Sequence, residues 1–389
     1  MKKRKIALIT DSRCSHSLYT PVLDAISNTG SLDYHYIVTG MHLRKEFGET
    51  IETINNEGYK IGAKINFGYG GLSLKGEAVA IGNWVCAFAK EFSKAKPDII
   101  LVQGDRGVSL AGAIAGSYMN IPVAHMFGGE VSSSIDDSAR HAITKLSHVH
   151  FPESRESAKR IAKLGEQQWR IHLAGSTGVE QIHKKELYNA EEVAAEFGLD
   201  LRKPVIVLLQ HAVSFEVEYA GLQILETMKA IKGIAQQTIA VYPNDDAGSR
   251  DIAKAIEQQA GNNPGFLFKA YKNIPYRMYL SLLRCSSVLV GNSSGGIIEA
   301  PSLGLPVVNI GSRQANRERA ANVIDAGYDS LAIKKAIKKC LAEKNFIASA
   351  KKAKSPYDPF GTHDAGKRIV HALAELKIDR KLLAKQIAY

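Results

Sequence analysis

Residues 99–130 open with Ile99-Ile-Leu-Val-Gln-Gly-Asp-Arg106, continue through Gly107–Met119, and close with Asn120-Ile-Pro-Val-Ala-His-Met-Phe-Gly-Gly-Glu130. The run Ile99–Gln103 is apolar, β-rich and too short for a buried helix, so it predicts a buried strand. Ser109–Met119 carries a helical pattern. Asn120-Ile-Pro122 marks a turn, and Val123–Phe127 predicts a second strand. Strand, helix and strand in that order form a βαβ unit, whose strands are parallel. Both strands end in polar, glycine-containing motifs, Gly104-Asp105-Arg106 and Gly128-Gly129-Glu130.

The same alternation extends outward in both directions. Upstream strands are expected at Ile6–Thr10 and Tyr34–Thr39, with helices over Pro21–Ser27, Leu43–Glu57 and Ala78–Ser93; Lys96-Pro-Asp98 supplies a turn. Downstream comes a strand over His148–Phe151. The pattern restarts after Gly175, with strands at Pro204–Gln210, Thr238–Tyr242, Phe266–Lys269, Ser287–Val290 and Pro306–Ile310. Helices fall between them at Leu222–Ile231, Arg250–Ala260, Tyr276–Leu283 and Gly295–Leu303. A chain of 389 residues is long for one core. Two βα domains in series, divided near residues 176–200, are the simplest account. The last residues read as a helix with a basic tail.

Composition narrows the function. With 45% hydrophobic and 23% charged residues the chain is an ordinary globular protein. No apolar run reaches the ~18 residues of a membrane span, and the apolar segment after Met1-Lys-Lys-Arg-Lys5 is too short for a signal peptide. A cytoplasmic protein without membrane insertion is expected. The four cysteines, Cys14, Cys86, Cys285 and Cys340, are scattered without a CxxC pair, so no metal site or disulfide framework is expected. The net charge of +11 reflects lysine runs that normally form solvated faces. No aromatic–basic interleaving points to nucleic acid. A small anionic substrate, such as a nucleotide diphosphate, accounts for the positive potential equally well.

Ligands of parallel α/β sheets sit at the carboxyl ends of the strands. Arg13, Gly104-Asp105-Arg106 and Gly128-Gly129-Glu130 hold that position in the first half. His211, Gly291-Asn-Ser-Ser-Gly-Gly296 and Gly311-Ser-Arg313 hold it in the second. Three motifs from each half suggest an interdomain cleft. In Gly291–Glu299, backbone N–H groups and hydroxyls suit a diphosphate, and Glu299 suits ribose hydroxyls. A plain glycine-rich cap with a solvated Glu299 is the competing view. The spacing is not the Gly-x-Gly-x-x-Gly of a dinucleotide fold, so a nicotinamide cofactor is disfavoured. In Asp136-Asp-Ser-Ala-Arg-His141, helical spacing pairs Asp136 with Arg140 and Asp137 with His141, after a Ser132–Ser134 loop and cap. His211 is either a satisfied core histidine or a donor to phosphate. Arg313 and Arg317 clamp an anion or decorate a helix. Phe67-Gly-Tyr-Gly-Gly71 has the composition of a lid.

Taken together these motifs resemble the UDP-N-acetylglucosamine 2-epimerase family, and most closely its hydrolysing branch from sialic-acid-like sugar pathways. Gly104-Asp-Arg106, Gly128-Gly-Glu-Val131 through Ile135-Asp-Asp-Ser-Ala-Arg-His-Ala-Ile-Thr-Lys-Leu-Ser-His148, and Gly291-Asn-Ser-Ser294 carry the resemblance. It implies a glycosyltransferase-B-type α/β architecture: two Rossmann-like domains with parallel sheets facing a central cleft. The expected divisions are residues 1–178, 179–364, and a C-terminal helix over 365–389 that packs back on the first domain. The implied reaction takes UDP-N-acetylglucosamine and water to N-acetylmannosamine and UDP. UDP leaves by anti-elimination through 2-acetamidoglucal, and water then adds. No cofactor is implied, and a homodimer or homotetramer is usual. By motif position, Asp105, Glu130, Asp136 and Asp137 resemble the acid/base carboxylates, with Arg140 beside them and His211 near the diphosphate. Arg13, Arg106, His141, Asn292, Ser293, Ser294, Gly295, Arg313 and Arg317 would hold substrate, Glu299 the ribose, and Tyr276 and Tyr279 the uracil.

Two spots leave the family pattern. An aromatic and an acid usually follow Gly-Asp-Arg, where Gly107, Val108 and Ser109 stand. Arg-Ala-(Asp or Glu)-Tyr usually follows the first strand, where Arg13-Cys-Ser-His16 stands. Both spots are expected to border the sugar. They admit a different hexose or another nucleotide, such as the UDP- or GDP-linked 2,4-diacetamido-2,4,6-trideoxyhexose of legionaminic acid synthesis, as an alternative substrate. A glycosyltransferase of the same fold and a sugar-nucleotide sensor are the other classes.

Overall fold

A computed structural model describes residues 3–45, 50–66, 73–132, 135–184, 186–244, 246–261 and 265–388. The Phe67–Gly71 stretch, residues 133–134 of the serine run and residues 46–49 of the expected Leu43–Glu57 helix lie outside the described residues.

Among the described residues, twelve strands form two six-stranded sheets. In chain order the first holds β1 Arg4–Thr10, β2 Leu32–Thr39, β3 Ile61–Ile65, β4 Ile99–Gln103, β5 Val123–Met126 and β6 Val149–Phe151. Its spatial order is β3-β2-β1-β4-β5-β6. The second holds β7 Val205–Leu209, β8 Gln237–Val241, β9 Phe268–Tyr271, β10 Val288–Gly291, β11 Val307–Ile310 and β12 Val323–Ala326, in the order β12-β11-β10-β7-β8-β9. Every pairing is parallel. The central strands are continuous apolar runs because helices cover both sheet faces. Ile6, Leu8, Leu101 and Ala124 pack into one face of the first sheet, and Ala7, Ile9, Ile100 and Val102 into the other. The second sheet repeats this with Ile206 and Val290 against Val207 and Leu289.

The strand order reverses between β1 and β4 in one sheet and between β7 and β10 in the other. At such switch points the helices depart to opposite faces and leave a crevice at the carboxyl ends. Asp11 and Gly104–Arg106 rim the first crevice, and His211 and Gly291–Gly296 the second. The turn after β10 needs its glycine. Gly291 has φ +136°, and a Cβ there would meet the Leu209 carbonyl oxygen at 2.0 Å.

Four elements depart from expectation for physical reasons. The edge strands β3 and β12 are half-buried, so neither shows a continuous apolar run. The first helix runs Arg13–Ser27 and tolerates Pro21 inside it; Ser12 caps it, its hydroxyl accepting from the Ser15 N–H at 3.4 Å. The expected Gly295–Leu303 helix divides into an α-turn, Gly295–Ile298, and a 3₁₀ turn, Ala300–Leu303, because Pro301 has no N–H to continue the ladder.

The chain then crosses back. Helix Ala365–Glu375 lies on helix Arg13–Ser27, so closely that a Cβ on Gly366 would meet the Pro21 carbonyl oxygen at 2.4 Å. The tail beyond it is fastened by charge. Arg170 donates to the Leu382 carbonyl at 2.8 Å. Lys385 Nζ reaches Glu166 Oε2 at 2.7 Å and the carbonyls of Lys145 and Ser147, each at 2.7 Å. Those carbonyls end helix Ile135–Leu146, so the tail lysine caps the helix that carries Asp136, Asp137 and Arg140. Among the described residues no helix is long and apolar enough to cross a membrane.

Burial pushes the Glu166 carboxyl up, but hydrogen bonds from His150, Lys145 and Lys385 outweigh it and bring the carboxyl down to about 2. A depressed carboxyl adds stability above its unfolded value, near 4.3, and loses it as pH falls toward 2. Glu166→Gln is therefore expected to lower stability at pH 7 by roughly 3–5 kcal/mol, since it strands buried Lys385. It should also flatten the loss of denaturation midpoint between pH 5 and 2. Chemical denaturation across that window checks both outcomes.

Candidate active site

The carboxyl ends of the two sheets face each other across a cleft of about 590 Å³, a size suited to a small ligand. Asp11, Asp105, Arg106, Gly107, Glu130, Asp136, Arg140 and Glu153 line it from the first domain; Ser294, Glu299, Arg313 and Arg317 line it from the second.

Arg140 is the hub of the first wall. Its side chain is 2% exposed. One guanidinium nitrogen donates to the Glu130 carbonyl at 3.1 Å and to Asp137 Oδ1 at 2.8 Å, and another donates to Asp105 Oδ2. Burial and the neighbouring Arg317 push its pKa well down from the usual arginine value, and the carboxylates around it hold the charge. Asp137 Oδ1 also accepts from the Ser132 N–H at 2.6 Å and hydroxyl at 3.1 Å. Asp137 thus ties the loop to the helix, and it does not line the cleft. The expected Asp137–His141 pairing gives way to Asp137–Arg140, three residues apart. His141 Nδ1 has no hydrogen-bond partner among the described residues. Asp136, in the first turn of the same helix, does face the cleft.

Glu130 is brought in by a strained turn. Phe127 has φ +67° and Gly129 φ +77°, and a Cβ on Gly129 would meet the Ser157 carbonyl oxygen at 2.2 Å. The Glu130 side chain, 1% exposed, accepts from the Ser157 hydroxyl at one oxygen. At the other it accepts from the Tyr357 hydroxyl at 3.0 Å and faces Arg317 Nε at 3.5 Å. Glu153 follows β6 and is 3% exposed. Burial, and then the charge of Glu130, push its carboxyl up to about 8. His125 anchors the preceding loop, with Nε2 2.8 Å from the Gly104 carbonyl and Nδ1 3.2 Å from the Thr144 hydroxyl. Burial takes its pKa down to about 3, so the ring is neutral, with its proton on Nε2.

The second wall differs from expectation at several residues. Asn292 is a fastener, not a ligand. Its side chain accepts from the His211 N–H at 2.7 Å and donates to the His211 carbonyl at 2.9 Å, joining β7 to β10. The Asn292 carbonyl in turn accepts from Arg313 at 3.1 Å and Gln314 at 2.9 Å. Ser294 lines the cleft; the Ser293 hydroxyl accepts from the Gly295 N–H at 3.3 Å. Tyr276 donates to Glu299 at 3.4 Å from behind the cleft, and the Tyr279 hydroxyl has no partner among the described residues. Burial raises the Glu299 carboxyl above the usual range.

Two expected anion-binding arginines are occupied by domain closure. Arg13 donates to Asn273 and to the carbonyls of Ile274 and Lys272, each at 3.1 Å, across the domain junction. Arg106 pairs with Asp11 at 2.7 Å and reaches Asp246 of the other domain at 3.5 Å. Both departures from the family pattern border the cleft, one through Gly107, Val108 and Ser109 and the other through Cys14 and Ser15, but not through His16. His16 points into the first domain, to the Tyr36 hydroxyl at 2.8 Å and Glu57 at 2.9 Å.

Asp11, Glu153, Ser157 and Tyr357 were not singled out from sequence. Glu153 follows a strand as the recognised motifs do, so the strand-end rule extends to it. Tyr357 comes from the crossover segment and carries no local signal.

The family described as UDP-N-acetylglucosamine 2-epimerase matches residues 24–374. The chain is 35% identical over 330 residues to a Legionella pneumophila UDP-N,N'-diacetylbacillosamine 2-epimerase (hydrolyzing), covering 84% of this chain and 87% of that protein. It is 31% identical over 347 residues to a Neisseria meningitidis UDP-N-acetylglucosamine 2-epimerase, covering 89% of each. Among solved structures, UDP-GlcNAc 2-epimerase from Neisseria meningitidis bound to UDP-GlcNAc superposes with a TM-score of 0.80; that alignment by structure is 19% identical and covers 96% of this chain and all of the other (100%). The likeness fixes the fold as two doubly wound domains about a cleft.

His211 sits against positive charge. Burial, then Arg313 and Arg106, push its pKa well below the usual imidazole range. Its Nδ1 accepts from the Asn244 N–H at 3.4 Å, which leaves the proton on Nε2. It is therefore a neutral donor, not a standing acid. Imidazole NMR of the ligand-free protein should show His211 neutral down to pH 5; protonation near pH 6 would contradict the geometry.

Proposed function

Because the chain belongs to the UDP-N-acetylglucosamine 2-epimerase family, we propose that it is a hydrolysing 2-epimerase converting UDP-N-acetylglucosamine and water to N-acetylmannosamine and UDP. One observation carries the reading. Carboxyl groups from three adjacent strand ends, Asp105, Glu130 and Glu153, share the cleft with Arg313 and Arg317 from the other domain.

The chemistry asks for that division. Removing the C2 proton needs a carboxylate held away from bulk water, and proton transfer by a positioned group contributes about 10²–10⁴-fold. Asp105, Glu130 and Asp136 are the acid/base set. Expelling UDP from C1 builds negative charge on the leaving oxygen. Arg313 and Arg317 meet it at low dielectric, with His211 Nε2–H as a neutral donor. Glu299, half-buried and accepting from Tyr276, suits a ribose hydroxyl. Arg140 fixes Asp105 relative to Glu130 by holding both segments at once.

A second sugar is favoured by the cleft's apolar side. Ile81, Trp84, Val108 and Leu110 line it beside Gly107. A Cβ on Gly107 would meet Ile81 Cγ1 at 2.7 Å, so the glycine is what admits Ile81 there. Such a wall offers apolar contact to the methyl groups of a 2,4-diacetamido-2,4,6-trideoxyhexose. The Legionella relative's name carries that sugar.

Offering both UDP sugars and following products by NMR tests the reading. UDP and a C2-inverted free sugar are expected from at least one, and Glu130→Gln should lower UDP release about 10²–10⁴-fold. A difference in kcat/KM between the sugars identifies the substrate. No UDP from either would overturn the proposal.

A further inference from the structure

We propose that Glu153 is the proton donor of the second half-reaction, delivering its proton to C2 of the unsaturated sugar once UDP has left. The inference rests on the hydrolysing reading above, and it concerns a residue outside the motifs that carry the family resemblance.

Its basis is a shortage of positive charge in the cleft floor. Glu153 lines the cleft yet is 3% exposed, so solvent does little to stabilise a charge on it. Two guanidiniums are near. Arg140 is committed to Asp105, Asp137 and the Glu130 carbonyl. Arg317 faces Glu130 at 3.5 Å, with Glu153 and Glu299 around it. One cation therefore serves two buried carboxyls and a half-buried third. Glu130 is furnished as an acceptor, with the Ser157 and Tyr357 hydroxyls beside Arg317. Glu153 lies next to that acceptor, and Glu299 and Tyr357 add no positive charge. Like-charged carboxyls in one dry site do not both ionise. Burial and the charge of Glu130 push Glu153 up to about 8 against the Ser176 hydroxyl and the pull of Arg317, so the shared site keeps its proton on Glu153 at neutral pH. When UDP binds, its diphosphate draws on Arg317 and removes part of that pull.

The proton balance closes. In the first half a carboxylate base takes the C2 proton, the C–H pair forms the C1–C2 double bond, and UDP leaves with the C1–O pair. The base sheds that proton to solvent. In the second half the Glu153 proton goes to C2, water oxygen bonds to C1, and the base takes a proton from the water. It then returns this proton to Glu153. One proton is released per turnover, with UDP.

Glu153→Gln keeps the shape and removes the transferable proton. It should release UDP within about tenfold of the wild type, while the sugar product shifts to 2-acetamidoglucal and N-acetylmannosamine formation falls by about 10²-fold or more. Supplied directly with 2-acetamidoglucal, the wild type should hydrate it and the variant should not. Glu153→Asp should recover part of the hydration, and the basic limb of the wild-type rate profile near pH 8 should be absent from the Gln variant. Melting temperature and UDP binding establish that the variant is folded. If Glu153→Gln forms N-acetylmannosamine at the wild-type rate, the inference fails alone. If UDP release and hydration fall together, Glu153 serves the elimination or the fold, and the inference is overturned. If the wild type itself releases no UDP from either UDP sugar, the hydrolysing reading fails and takes this inference with it.

Discussion

Taking an ion out of water costs several kcal/mol even after the protein relaxes around it, so a buried carboxylate must be met by a charge or by donors. This cleft buries Glu130 and Glu153 and half-buries Asp105, with Asp137 half-buried behind its wall, around two guanidiniums, those of Arg140 and Arg317. Arg140 belongs to the first domain and Arg317 to the second. The pairing of Glu130 with Arg317, joined by the Tyr357 hydroxyl, therefore couples the first-domain wall of the cleft to domain contact. Remove either guanidinium and a carboxylate is stranded in a dry site. Separate the domains and Glu130 loses Arg317.

The rest of the molecule holds those few groups in register. The doubly wound sheets put strand ends opposite one another, and left-handed backbone at Phe127 and Gly129 aims Glu130 into the gap. Helix Ile135–Leu146 presents Asp136 and Arg140, and its far end is capped by Lys385 from the tail. The tail is thus part of the site's support although no residue of it lines the cleft. The helix over 365–375 and the linker helix Thr177–Lys184 both rest on helix Arg13–Ser27. Thr177 donates to the Leu18 carbonyl at 2.8 Å, and Gln181 to the Ser17 carbonyl at 2.5 Å. Arg13, at the start of that helix, spends its charge on carbonyls of the second domain. Arg106, in contrast, pairs closely with Asp11 of its own domain and lines the cleft.

Much of this was legible in the sequence, for identifiable reasons. Central strands such as Ile99–Gln103 are buried on both faces and appear as unbroken apolar runs, so their order and the polar motifs after them could be read directly. β3 and β12 were missed because an edge strand alternates weakly. That Asp105, Glu130, Asp136 and Arg140 line the cleft was legible because strand ends and helix spacing are local. Asn292 was mistaken for a ligand because a side chain that bonds both the N–H and the carbonyl of His211, far away in the chain, leaves no local trace. His16 departs from the family pattern yet faces Tyr36 and Glu57, so a change of residue type near a site says nothing about its direction. Tyr357 reaches Glu130 across more of the chain than any periodicity can register.

The central claim is that this cleft abstracts a proton from C2 of a nucleotide sugar while it expels UDP. Turnover of a UDP-linked 2-acetamido sugar in heavy water tests it most directly. The account predicts that every molecule of free sugar released with UDP carries deuterium at C2 and has the inverted configuration there. UDP released with a sugar that keeps its original C2 proton and configuration would mean simple hydrolysis or glycosyl transfer, and would contradict it.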